Sequence, residues 1–167
     1  MAQLNSDTMM ICREIAQDIV KAAREVMASS IGVNDKVGKN TLADSDLSRQ
    51  IDWSIQFGDD VVIQTLFNYY IKFIEEGRKP KKGKMPPEDA IIKWMRRKHI
   101  VSSNKNIRSA VFLIRRAIWR DGYNARPVIK TLSDRTDVLW DKWAEQLFDS
   151  LIKDINDFFT KNYKWIV

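Results

Sequence analysis

The apolar residues of this chain change their spacing twice, and those changes restrict its fold more than any other feature. Ile11, Ile15, Ile19, Ala22, Ala23 and Val26 recur at helical intervals behind the capping residues Asn5-Ser6-Asp7, with Gly32 as a stop. This predicts a long amphipathic helix over about residues 6–29. Residues 33–46 are polar and read as a long loop. The interval then drops to two: Ile51, Trp53, Ile55 and Phe57 alternate with Asp52, Ser54 and Gln56. Gly58-Asp59-Asp60 supplies a turn and Val61 to Phe67 a return strand, so a hairpin is expected over about residues 50–67. Residues 69–74 fit a third strand or a short helix equally well.

Helical spacing returns after Pro87, which suits a first helical position, with Glu88 and Asp89 at the positive end of the helix dipole. Ile91, Trp94 and Met95 form the inner face of that helix, and Arg96, Arg97 and Lys98 its last turn. Another helix should begin near Asn104 and run through Ile107, Val111, Ile114 and Ile118 to Asp121-Gly122. The last spans about residues 134–160 and carries Leu139, Trp143, Leu147, Leu151, Ile155 and Phe158. The expected fold class is α+β, a small antiparallel sheet packed with about four helices. With 167 residues, 44% of them hydrophobic, the chain has the size of a single domain covering residues 1–167.

Few residues carry reactive chemistry. One cysteine, Cys12, forbids an internal disulfide, and with a single histidine, His99, the soft ligands are too few for a zinc site. Cys12 flanks the apolar stripe of the first helix and reads as a core residue. Glu75 and Glu76 are adjacent, so they point apart in a strand and about 100° apart in a helix, and cannot converge on one substrate. His99 stands among Arg96, Arg97 and Lys98 with no nucleophile to activate. Phosphate-loop, HExxH and GxSxG patterns are absent. We expect no enzyme, no cofactor and no metal. No apolar run reaches the roughly 18–20 residues of a membrane span, and residues 1–7 lack the basic and apolar regions of a signal peptide.

The net charge of +6 hides a strong division. Residues 1–71 carry six Lys/Arg against ten Asp/Glu, residues 72–130 seventeen against five, and residues 131–167 five against seven. A basic middle between acidic ends points to an anionic partner or to complementary contacts between copies of the chain. Lys79, Lys81, Lys82 and Lys84, followed by Lys93, Arg96, Arg97, Lys98, Lys105, Arg108, Arg115, Arg116 and Arg120, offer a phosphate-binding surface over residues 79–120. Non-specific nucleic-acid binding is therefore the alternative function. The six tryptophans, with Phe158-Phe159 and Trp165-Ile166-Val167, exceed what one small core needs, which argues for self-association or a stable protein partner.

Several blocks occur in a distinctive order: Leu47 and Ile51; Tyr69-Tyr70 with Glu75 and Gly77-Arg78-Lys79-Pro80; Met85-Pro86-Pro87 with Trp94; and Arg120-Asp121-Gly122 with Arg126-Pro127. In this order, residues 42–130 resemble the tail-component (tail-completion or neck) proteins of tailed bacteriophages, most closely the versions from phages of Bacteroides-type hosts, including the crAss-like group. Asp44-Ser45 stands where that family usually has threonine-glycine, and Lys81-Lys82-Gly83 lengthens the proline loop. The resemblance implies a non-enzymatic ring subunit of the head–tail connector, made in the host cytoplasm and resident at the head–tail interface of the virion. Its implied partners are further copies in a ring of twelve or six, a portal or portal-side adaptor, tail proteins, and genomic DNA passing through the lumen unread. No membrane is implied. The contact residues expected on this reading are Glu75, Gly77, Arg78, Lys79, Pro80, Lys81, Lys82, Lys84 and Arg126.

Overall fold

The computed structural model describes residues 6–58, 60–100 and 107–162. The fold is α+β, with six α-helices and two two-stranded antiparallel sheets among those residues. The chain divides into two compact units, one made of residues 1–71 with 127–167 and the other of residues 72–126.

The first unit is organised around helix α1 (Ser6–Ala28). Its buried positions Cys12, Ile15, Ala16, Val20, Ala23 and Met27 wrap more than one face, because the helix packs both on helix α6 (Val128–Asn162) and on a hairpin. Ala22 is buried as well. Burial pushes the Cys12 thiol pKa up, so the side chain behaves as a small apolar core group, as its sequence setting indicates. Helices α1 and α6 run antiparallel. Lys153 pairs with Asp7 at 2.6 Å, the Thr8 and Ser150 hydroxyls lie 3.0 Å apart, Trp143 Nε1 donates to Asp18 at 3.3 Å, and Arg135 reaches Glu25 at 3.5 Å. The exposed ion pairs in this ladder set register and add little stability. Buried Trp143 adds much more.

Helix α6 starts at Val128 and not near Asp134. Pro127 ends the preceding segment, Thr131 donates both its N–H and its hydroxyl to Pro127 O, and Val128 and Leu132 are buried four residues apart. These two residues carry the inner line of the helix back by more than one turn. Asp134 resembles a cap in sequence but is an exposed mid-helix residue.

The polar stretch after α1 is more ordered than a loop. Strands β1 (Val33–Asn34) and β2 (Lys39–Asn40) pair as a short ribbon, and helix α2 (Asp46–Arg49) follows, capped by Ser45 Oγ accepting from Ser48 N–H at 3.2 Å. Asn40 holds this region together. Its Nδ2 donates to Met27 O and Ser29 O, each at 2.9 Å, satisfying carbonyls at the end of α1, while its Oδ1 accepts from Leu42 N–H and Ala43 N–H. Gly32 packs where a Cβ would lie 1.9 Å from Met27 O, so its role is close approach to the helix end and not the stop itself. Asn40→Ala removes four hydrogen bonds and should lower the unfolding free energy by about 2–3 kcal/mol, measured by chemical denaturation.

Strands β3 (Asp52–Phe57) and β4 (Val61–Leu66) form the expected hairpin, with Ile55 opposite Ile63 and Trp53 opposite Thr65. Ile51 is buried and Trp53 and Ile55 are half-buried, but Phe57 is exposed, because it lies next to the turn, at the end of the hairpin.

The second unit contains α3 (Ile71–Glu76, entered from the last residue of the first unit), α4 (Glu88–Arg97) and α5 (Ile107–Asp121). The ambiguity over residues 69–74 resolves to a helix. Pro87 stands at the N-cap of α4, one residue before the position expected from sequence. The α4–α5 contact buries Met95 and Val111. Trp94 is 41% exposed, contrary to its expected place on the inner face, because the inward line of α4 passes through Met95 with Ile91 and Ile92 half-buried. The start of α5 near Asn104 and the Trp165–Val167 terminus lie outside the described residues.

Candidate functional site: a pinned basic loop

Helices α3 and α5 end alike. Gly77 (φ +66) donates its N–H to Phe73 O at 3.1 Å, and Gly122 (φ +58) donates to Ile118 O at 3.0 Å. Both close their helix with a left-handed residue that only glycine adopts without strain. The next residues, Arg78 and Tyr123, then pair as an isolated antiparallel bridge, with Arg78 N–H to Tyr123 O at 2.8 Å and Tyr123 N–H to Arg78 O at 3.0 Å. The fit is tight on both sides. A Cβ on Gly77 would lie 2.4 Å from Ala125 N, and one on Gly122 would lie 2.2 Å from Arg78 O. Arg126 N–H closes the junction by donating to Ile74 O at 2.9 Å.

The loop that leaves this junction is fastened along α5. Lys81 N–H donates to Trp119 O at 2.7 Å, and the Trp119 indole returns a bond to Gly83 O at 2.9 Å. Arg115 donates from Nε to Pro86 O at 2.7 Å and forms an ion pair with Glu88 at 3.2 Å. Arg78 folds back on its own loop, its Nη2 donating to Lys82 O at 3.1 Å and to Lys84 O, while its Nε is buried without a partner. Backbone carbonyls are thus held at Lys82, Gly83, Lys84 and Pro86, and Lys81 (φ +56) and Gly83 (φ +70) make the turns. The side chains of Lys79, Lys81, Lys82 and Lys84 and the ring of Pro80 remain exposed. Residues Glu76 to Lys79 and Lys82 to Lys84 line an open cleft of about 360 Å³.

Such an arrangement presents fixed positive charge on an exposed loop. Tyr123, at the bridge, has its phenol pKa raised by burial against the opposing pull of Arg78 and Arg126, which keeps it neutral. Of the residues expected to make contacts, Lys79, Pro80, Lys81, Lys82 and Lys84 share one exposed loop, and Gly77, Arg78 and Arg126 are grouped at the junction that carries it. Glu75 is half-buried on α3. The expected basic band on α5 loses Arg115, which turns inward to Pro86 and Glu88, and keeps exposed Arg108, Arg116 and Arg120. Sequence reasoning missed Trp119 and Tyr123 as anchors. The available signal was Gly122, a second helix stop of the same kind as Gly77, with Trp119 three residues before it and Tyr123 directly after.

No described helix is long and apolar enough to cross a membrane. In comparisons with protein-family models, curated proteins and solved structures, nothing matches the chain.

Proposed function

We propose that this chain is a structural ring subunit of the head–tail connector of a tailed bacteriophage, a neck or tail-completion protein. It would join portal-side proteins to the tail around the DNA channel. The observation that carries this reading is the meeting of two blocks of the resemblance. Gly77-Arg78-Lys79-Pro80 and Arg120-Asp121-Gly122 stand more than forty residues apart, yet they form one junction through the Arg78–Tyr123 bridge. A junction of this kind supports a scaffold role. It holds a charged loop in a defined shape, which suits a contact that sets register between subunits. The charge division supports it too: residues 72–126 carry sixteen Lys/Arg against five Asp/Glu, and the remainder twelve against seventeen.

The exposure of Lys79, Lys81, Lys82 and Lys84 on one loop favours a second reading, non-specific binding to nucleic-acid phosphates. Native mass spectrometry of the chain, alone and with its genomic neighbours, separates the two. The connector reading expects a closed ring of about six or twelve copies, formed alone or with a portal-side partner. A monomer indifferent to those neighbours, with DNA affinity falling steeply as salt rises, would overturn it and establish the second.

A further inference from the structure

Helix α5 shows solvent a face on which cations and apolar groups alternate. Arg108, Phe112, Arg116 and Arg120 fall on one row at intervals of four residues, with Leu113 beside them. Phe112 is 50% and Leu113 61% exposed. Helix α6 shows a face of opposite sign. Asp137, Asp141, Glu145 and Asp149 follow one another every four residues and all are exposed. Val138, 80% exposed, and Phe148, 62% exposed, stand beside the two ends of that row.

Both rows are the i+4 ridges by which helices interlock, and each spans thirteen residues, a rise of about 18 Å. On each, exposed apolar side chains stand next to charge. Arg120 is already paired with Asp121 at 2.7 Å, but Arg108 and Arg116 stand at twice the about 6 Å interval of the carboxylates, so one antiparallel alignment brings Arg116 to Asp141 and Arg108 to Asp149. An unrelated protein would have to match this length, spacing and sign; another copy of this chain already does.

We infer that the α5 face of one copy packs on the Asp137–Asp149 face of α6 in a second copy, head to tail. Each copy carries one face of each kind, so the contact repeated head to tail would build a ring or filament. The inference rests on the ring reading in naming its subunit contact, yet the two can fail separately.

Charge reversal tests it on the full chain at low ionic strength. Arg116→Glu and Asp141→Arg lie on the surface, so melting temperatures should stay at the wild-type value. Each single reversal should nevertheless raise the dissociation constant of assembly at least about tenfold, or leave only monomer. Mixing the two variants should restore assembly, because the carboxylate introduced at position 116 of one copy then meets the guanidinium introduced at position 141 of the other. The unaltered faces of the two variants also remain complementary.

Wild-type rings that tolerate both single reversals would overturn this contact and leave the ring reading standing. Rescue only when both changes are in one chain would place the pairing within a chain and overturn it. A wild type that stays monomeric alone and with portal-side and tail proteins would overturn both readings. If Arg116→Glu then weakened DNA binding, the α5 face would belong to nucleic acid.

Discussion

Gly77→Val should disrupt the junction between the ends of α3 and α5 and lower the stability of residues 72–126 by about 3 kcal/mol or more. Two costs combine. A β-branched residue at φ +66 is strained by about 1–3 kcal/mol. Its Cβ would also lie 2.4 Å from Ala125 N and 2.8 Å from Tyr123 O, both backbone atoms that cannot rotate away. The Arg78–Tyr123 bridge and the Arg126 bond to Ile74 O would have to open to make room. Hydrogen exchange reads this directly, because the amides of Arg78, Tyr123 and Arg126 should lose protection while those of α1 keep theirs. Gly83→Ala is the control. It has a similar φ of +70 but open space around its Cβ, so it should cost only about 1 kcal/mol. Equal effects at the two glycines would mean that conformational strain, and not the close approach of two helix ends, sets the requirement at Gly77.

Trp143→Ala should cost about 3–5 kcal/mol, the largest expected effect in the first unit. The side chain is buried between α6 and α1 and donates its indole N–H to Asp18. Truncation leaves a cavity beside α1 and deprives Asp18 of a donor, and helices tied along their length can close such a void only in part. Trp143→Phe keeps most of the apolar volume and loses the hydrogen bond, so it should cost about 1–2 kcal/mol. Chemical denaturation followed by helical circular dichroism measures both. A loss below about 1 kcal/mol for the alanine variant would show that α1 and α6 are held mainly by their other contacts.

Legibility in the sequence followed the range of the interactions involved. The α1 helix was readable to within a residue or two because one face repeats at 3.6 residues. The hairpin was readable because Ile51 to Phe57 repeats at two and a turn follows. The polar stretch hid a ribbon and the α2 helix. Its order comes from Asn40, whose four bonds join the end of α1 to residues 42 and 43, and no periodicity announces a single amide side chain. The start of α6 was misplaced for a related reason. Val128 and Leu132 look like two isolated apolar residues until something buries them.

The candidate site divides along the same line. A basic proline loop ahead of a helix was plain from composition, since glycine, proline and lysine disfavour regular structure locally and need no distant partner to do so. What the loop is tied to was not plain. Gly77 and Gly122 each signal a helix end, but their meeting, the double use of Trp119 and the inward turn of Arg78 and Arg115 depend on contacts between residues far apart in the chain. By itself the sequence determined the long amphipathic helices, the alternating hairpin and where positive charge gathers, because those properties follow from near neighbours. Only the tertiary structure decided which cations face solvent and which hold the backbone in place, because that choice depends on where carbonyl groups come to lie once the helices have packed.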